Sequence, residues 1–157
     1  MEITVGKSAP NFSLQNTEGE KISLSQLTKK QNVVILFFPL AFTSTCTNEM
    51  CAMRDNMKLY KSHDAKVVGI SVDSFFTLKE FKKAENLNFT LLSDFNKETS
   101  KAYGALYDDF FGMQGVSKRA AFVINQEGTL IYKEVLEDAG QLPDFDRIEE
   151  ALQSAHA

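Results

Sequence analysis

Cysteine is scarce in this chain: only Cys46 and Cys51 occur among 157 residues. Two thiols five positions apart are too few for the disulfide framework of a secreted domain, and redox chemistry is the better use of such a pair. Histidine is equally scarce, and neither His63 nor His156 falls in the spacing of a metal site or a catalytic triad. Two thiols without a histidine close by make half a zinc site, so no metal is expected. No apolar run approaches the length of a membrane span, and the opening MEITVGKSAP has no apolar leader core. A cytoplasmic location without a membrane partner is the expectation. Basic residues number 17 against 21 acidic ones, for a formal net charge of −4, and no Lys/Arg cluster stands out. That balance gives no electrostatic footprint for nucleic acid. Repeats, linkers and low-complexity stretches are also missing, so residues 1–157 are expected to form one domain with a sizeable core.

What the chain does have is a stretch around which the rest can be organised, Val33 to Asp55. Six apolar residues, Val33 to Phe38, follow Asn32 and are closed by Pro39. A short β-branched and aromatic run of this kind reads as a strand buried on both faces. Thr43, Ser44 and Thr45 then supply N-cap candidates, and Met50, Met53, Met57 and Tyr60 recur at helical spacing, predicting a helix from about Thr43 to His63. Cys46 falls in the first turn of that helix.

The first N–H groups of a helix have no intrahelical partner, and the aligned peptide dipoles add partial positive charge there. Both favour a thiolate, which is the nucleophilic form. Magnitudes show that the helix is not enough. Lowering a thiol pKa from about 8.5 to about 6 takes roughly 3.4 kcal/mol, whereas a helix terminus supplies at best about 2. A cation or further donors must arrive from elsewhere in the fold.

The remaining chain alternates strand and helix. Asn11–Leu14 reads as an edge strand returning through a turn at Asn16–Glu20 to Lys21–Leu24, with Ser23 and Ser25 capping a short helical turn. Lys66–Val72 is a second buried strand ending at Asp73 and Ser74. Thr77 is a candidate cap for an amphipathic helix over Leu78–Asn86. Thr90–Leu92 is strand-like, and Asn96–Tyr103 is a helix stopped by Gly104. Tyr107–Lys118 reads as an irregular loop carrying Phe110, Phe111 and Met113. Ala120–Ile124 and Thr129–Val135 form a hairpin, and Asp144–Ala155 a last helix. This order gives an α/β fold, a mixed central sheet with helices on its faces and an N-terminal β-hairpin extension.

Pro39, Thr43 and Cys46 form P-x-x-x-T-x-x-C, followed by Thr47 and Glu49, and Lys118-Arg119 precedes the late strand Ala120–Ile124. These residues resemble the signature of the peroxiredoxins, and the resemblance extends from Gly6–Pro10 to the C-terminal helix. Ser71-Val72-Asp73-Ser74 with Leu92-Ser93-Asp94 is most similar to the branch holding the bacterioferritin comigratory proteins and the E-type alkyl hydroperoxide reductases. The resemblance implies a thioredoxin-like fold and a thiol peroxidase with no metal, haem or flavin. Cys46 would be the nucleophile and Pro39 would shield its pocket. Thr43 and Arg119 would hold thiolate and peroxide, and Glu49 would orient the arginine. Structurally, Thr43 also suits a cap, Glu49 a first-turn helix acid, and Arg119 a charge flanking a strand.

Cys51 is ambiguous. On one regular helix the two Cα atoms would lie about 8.6 Å apart, beyond disulfide reach unless the first turn unwinds. Some bacterioferritin comigratory proteins resemble this chain in placing the resolving cysteine five positions on, which implies a Cys46–Cys51 bridge. The alternative is a packing cysteine in a one-cysteine enzyme resolved by an external thiol. The implied partners are a hydroperoxide, a thioredoxin or glutaredoxin-like reductant, and a second copy in a homodimer. Two rivals stay open: a thioredoxin-like disulfide reductase, against which the four-residue spacer argues, and a non-catalytic thiol sensor or chaperone-like binding protein.

Overall fold

The computed structural model describes residues 3–155. Strands β1 (Ser13–Asn16) and β2 (Lys21–Ser23) form an antiparallel hairpin. Asn16 ties its turn, the side-chain oxygen accepting from the N–H groups of Glu18 and Glu20. Ser23 caps α1 (Leu24–Thr28) with Gln26 in a reciprocal capping box. Next come β3 (Asn32–Phe37), α2 (Ser44–Asp55), α3 (Met57–Ser62), β4 (Ala65–Ser71) and α4 (Phe75–Ala84). The second half holds β5 (Thr90–Ser93), α5 (Glu98–Ala102), β6 (Leu106–Tyr107), β7 (Val116–Ser117), β8 (Arg119–Ile124), β9 (Leu130–Leu136) and α6 (Phe145–Ala155).

Seven strands form one mixed sheet in the order β2-β1-β5-β4-β3-β8-β9, and β6 pairs with β7 separately. The run beginning at Val33 is an interior strand of this sheet, parallel to β4 on one side and antiparallel to β8 on the other. Its side chains alternate as a strand demands. Val34, Leu36 and Phe38 join one core with Met50, Phe81, Ile148 and Leu152, while Val33, Ile35 and Phe37 join a second with Tyr103, Phe122 and Leu130. Burial on both faces explains why the sequence is apolar without interruption. Gly69 in β4 serves this packing: a Cβ there would lie 2.8 Å from Leu91 and 3.4 Å from the Met50 sulfur. The methionine face of α2 can therefore settle on the sheet only over a residue without a side chain.

Some boundaries depart from expectation. The helix from Thr43 to His63 is two helices, broken at Asn56, whose backbone (φ −109°, ψ 11°) leaves the helical region while its side chain bonds the Ala52 carbonyl. Apolar spacing continues across the break, so periodicity alone could not register it. Helix α4 begins at Phe75, three residues earlier than its core-facing pattern, because Ser74 and not Thr77 is the cap. The hairpin's edge strand is β2; β1 lies inside, between β2 and β5. The loop after Tyr107 contains the β6–β7 pairing and a tight Phe110–Met113 turn. Arg119 belongs to β8 and does not merely precede it. No helix among the described residues is long and apolar enough to cross a membrane. His156 lies outside the described residues.

Candidate active site

Beyond β3 the chain passes through buried Pro39 into a loop that Asp73 fastens from the end of β4. The Ala41 N–H donates to Asp73 Oδ2 at 2.8 Å, and the Ser71 hydroxyl donates to the same oxygen at 2.7 Å. Ser93 adds a bond to the Asp73 carbonyl at 2.6 Å. Phe42 then adopts φ +68°, a left-handed conformation costly for an aromatic residue, while its ring packs against Phe81 at 5.1 Å. The turn delivers Thr43 to the cap position of α2 in an extended conformation.

Thr43 caps by position only. Its hydroxyl donates to the Leu40 carbonyl at 2.8 Å and makes no capping bond to the first turn of α2, and no other side chain among the described residues accepts from that turn. The N–H groups of that turn therefore stay uncovered at the end of the helix that carries Cys46. Cys46 itself is 1% exposed. Glu49 follows at i+3 and shares its face of the helix.

The cation comes from the sheet. In the β3–β8 register Ala120 pairs with Phe37, so Arg119 stands one residue past the end of β3, where α2 begins. All parts of its guanidinium are engaged. Nη2 lies 3.2 Å from the Cys46 sulfur, Nη1 donates to Glu49 Oε1 at 2.6 Å, and Nε donates to the Ala139 carbonyl at 3.0 Å. Arg119 and Glu49 are both buried, at 1% and 0% exposure of the side chain. A planar, multi-donor cation can meet these three partners at once; a lysine could not. The positive charge of Arg119 is thereby set 3.2 Å from the sulfur.

Burial pushes the Glu49 carboxyl up to about 7, the charge of and hydrogen bond from Arg119 pulling the other way. Its second oxygen, Oε2, bonds to no described residue. Burial also works against the Arg119 charge, but Glu49 and Cys46 outweigh it and hold the guanidinium above its ordinary range. A carboxyl whose folded pKa is raised above its unfolded value binds the proton more tightly when folded. Its contribution to stability is complete below about pH 4.5 and is lost as pH rises through 7. Comparing Glu49→Gln with the wild type in melting experiments from about pH 5 to about 8 should isolate this effect. Wild type is expected to lose stability relative to the variant as pH rises; a constant difference across the range would refute the assignment.

Cys46 and Arg119 form part of the wall of a cleft of about 730 Å³, with Pro39, Thr43, Tyr107 and Phe110 among its other residues. Leu40, Phe111 and Met113 extend the lining, and Phe111 is 89% exposed. Cys51 is not part of this group. Although both cysteines are free and share α2, the Cys51 thiol points to Glu85 Oε2, 3.4 Å away at the end of α4. Among the described residues, no three His, Cys, Asp or Glu side chains gather as metal ligands would. The structure thus brings Pro39, Thr43, Cys46 and Arg119 to one cleft, sets Glu49 behind them, and turns Cys51 away.

The AhpC/TSA family profile matches residues 5–133. The chain belongs to this family, the peroxiredoxins. It is 38% identical over 131 residues to a chloroplastic peroxiredoxin Q of Oryza sativa subsp. japonica, covering 83% of this chain and 58% of that protein. The chain thus spans less than two thirds of the rice relative's length. A chloroplastic 2-cysteine peroxiredoxin of Chattonella marina var. antiqua is 34% identical over 167 residues, covering all of this chain and 81% of the relative. Among solved structures, the peroxidoxin BcpB of Mycobacterium tuberculosis superposes with a TM-score of 0.84 at 26% identity, over 99% of this chain and 97% of that one. The mixed sheet with its flanking helices is accordingly the thioredoxin-like fold of the peroxiredoxins.

Asp73 and Tyr107 are the site residues that the sequence reading does not assign to the site, Asp73 entering it only as a strand end and as part of the branch resemblance. Asp73 was visible as an acid at the carboxyl end of a buried strand, but its bond to the Ala41 N–H spans 32 positions. Tyr107 reaches the cleft through β6, a two-residue strand with no periodicity to detect.

Proposed function

We propose that the protein is a thiol-dependent peroxidase with Cys46 as its nucleophile. The observation that carries this is the buried Cys46 sulfur held 3.2 Å from Arg119 in the wall of an apolar cleft. The thiolate attacks one peroxide oxygen, an S–O bond forms as the O–O bond breaks, and the other oxygen leaves as water or alcohol after taking a proton. Cys46 is left as a sulfenic acid. Arg119 and the open N–H groups of α2 stabilise the charge as it moves from sulfur to the leaving oxygen. At the rim, Thr43 offers its lone pairs to a peroxide proton, and rotation of its hydroxyl away from Leu40 turns it into a donor. Pro39 limits water at the sulfur and adds no N–H to compete for it.

Hydrogen peroxide needs less room than two waters, each about 30 Å³ in the liquid. The cleft's size and the exposed Phe111 and Met113 suit the organic part of a larger hydroperoxide, and the same apolar surface would suit a second copy of the chain. In the second half of the cycle Cys51 condenses with the sulfenic acid, giving the Cys46–Cys51 disulfide and water. A dithiol reductant of the thioredoxin or glutaredoxin type then restores both thiols by exchange. We place the cycle in a reducing compartment such as the cytoplasm, where such reductants are maintained.

The orientation of Cys51 toward Glu85 favours a second reading for this half alone, a one-cysteine cycle resolved by an external thiol. Intact mass after one equivalent of peroxide separates the two. A loss of two hydrogens in wild type, replaced by a gain of one oxygen in Cys51→Ser, is expected. A gain of one oxygen in both would leave Cys51 a packing residue. Multiple turnovers with a dithiol reductant are expected as well; a protein that oxidises once and stops would be a sensor.

A further inference from the structure

We propose that Glu85 is a positioning residue that restrains Cys51 in the reduced enzyme and thereby sets the rate at which the sulfenic acid is resolved. The inference rests on the reading above in which Cys51 resolves Cys46. Its ground is how α2 is fastened. The second half of the helix is tied to the end of α4: Arg54 Nη1 donates to the Glu85 carbonyl at 2.6 Å, Asn88 donates to the Arg54 carbonyl at 3.2 Å, and the Cys51 thiol donates to Glu85 Oε2 at 3.4 Å. The first half holds Cys46 and opens without a capping side chain. For the sulfurs to meet, the uncapped end must unwind toward the anchored one, and the Cys51 side chain must release Glu85.

The position of Glu85 is poorly explained by helix stability. A carboxylate at a helix C-terminus faces the negative end of the dipole, and the last turn of α4 already carries Lys82 and Lys83 to balance it. What the carboxylate does reach is the Cys51 proton. The groups facing this thiol are Glu85 from the end of α4 and Arg54 and Asp55 from its own helix. Burial first, then the hydrogen bond to Glu85, hold the thiol above its ordinary range, and Arg54 opposes them. The thiolate is the form that attacks the sulfenic sulfur, forming the S–S bond as the hydroxyl leaves with a proton as water. Glu85 therefore slows resolution twice, by holding the side chain in place and by keeping its proton on. A slower resolution lengthens the life of the sulfenic acid, during which a second peroxide can carry it to the sulfinic acid.

The test follows disulfide formation by quenched intact mass after one equivalent of peroxide, across a range of pH, in wild type, Glu85→Gln and Glu85→Ala. The Arg54 bond goes to the Glu85 backbone, so it survives in both variants. Glu85→Gln keeps an acceptor and removes the charge; Glu85→Ala removes both. Both are expected to form the bridge faster at neutral pH, the alanine variant by roughly twofold or more, the low end of what one lost hydrogen bond is worth. The pH profile of bridge formation should move to lower pH, and sulfinic acid at excess peroxide should fall. In a Cys46→Ser background, alkylation of Cys51 by iodoacetamide should quicken with either substitution, a readout that a merely structural Glu85 would not move. Equal bridging rates, profiles and alkylation in all three proteins would overturn the inference alone. A wild type that gains one oxygen and never bridges would overturn the resolving role of Cys51, and the inference with it.

Discussion

Cys46→Ser is expected to reduce peroxide turnover by about three orders of magnitude or more while leaving the fold intact. Cys46 is 1% exposed, in contact with Arg119, and serine is close to it in shape. The hydroxyl can keep a hydrogen bond to the guanidinium, so melting should change little. It cannot keep the chemistry. A serine hydroxyl remains protonated at neutral pH, and oxygen forms no counterpart of a sulfenic acid on which a second thiol could condense. Turnover would be measured with a dithiol reductant in excess, beside intact mass after peroxide. Serine protein retaining more than about a tenth of the activity would move the nucleophile elsewhere, since nothing then depends on the sulfur.

The second large effect concerns Arg119. Replacing it by Met leaves a similar volume but strands Glu49, which is fully buried and has no other hydrogen-bond partner among the described residues. Breaking a buried pair by removing one partner costs about 3–5 kcal/mol. Loss of a donor aimed at charge that develops during reaction costs about 10²–10³ in rate. Both losses are therefore expected together, with slower alkylation of Cys46 at neutral pH as a third sign. The double variant Arg119→Met with Glu49→Leu separates them. Without a stranded carboxyl, its stability should return most of the way to wild type, while turnover should stay low. Recovery of turnover along with stability would show that Arg119 acts on the fold and not on the sulfur.

The two substitutions divide the site along a line already visible in the sequence. A single helix terminus was too weak, on magnitude alone, to hold a thiolate, so a cation had to be sought at a distance. The chain offers seventeen basic residues, and among the described residues Arg119 is the one that stands against that sulfur. Motif resemblance named it. Composition, periodicity and spacing had no means to, because Cys46 and Arg119 are 73 positions apart. The register of β8 on β3 settles the matter, since pairing Ala120 with Phe37 leaves Arg119 at the foot of α2.

Local chemistry explains which other features were legible. A cap at Ser23 and the unbroken apolar run Val33–Phe38 depend on neighbours a few residues away, and both were readable in order, although the reciprocal bond from Gln26 was not read. The fastening of the Ala41 loop by Asp73 spans 32 positions and depends on which groups meet after folding, whereas the break at Asn56 and the cap at Ser74 are made within three or four residues but by side chains that stand outside the apolar pattern. Apolar spacing carries no trace of them.

By itself, the chain's sequence determined that a buried strand would run into a helix with a cysteine in its first turn, because an unbroken apolar run and apolar residues at helical spacing are local features. Tertiary structure alone decided what surrounds the two sulfurs. Strand pairing carried a guanidinium to Cys46, and helix packing set a carboxylate against Cys51. Identical atoms on one helix thus face opposite charges, for the physical reason that the field at a thiol comes from whatever the fold places within a few ångströms of it.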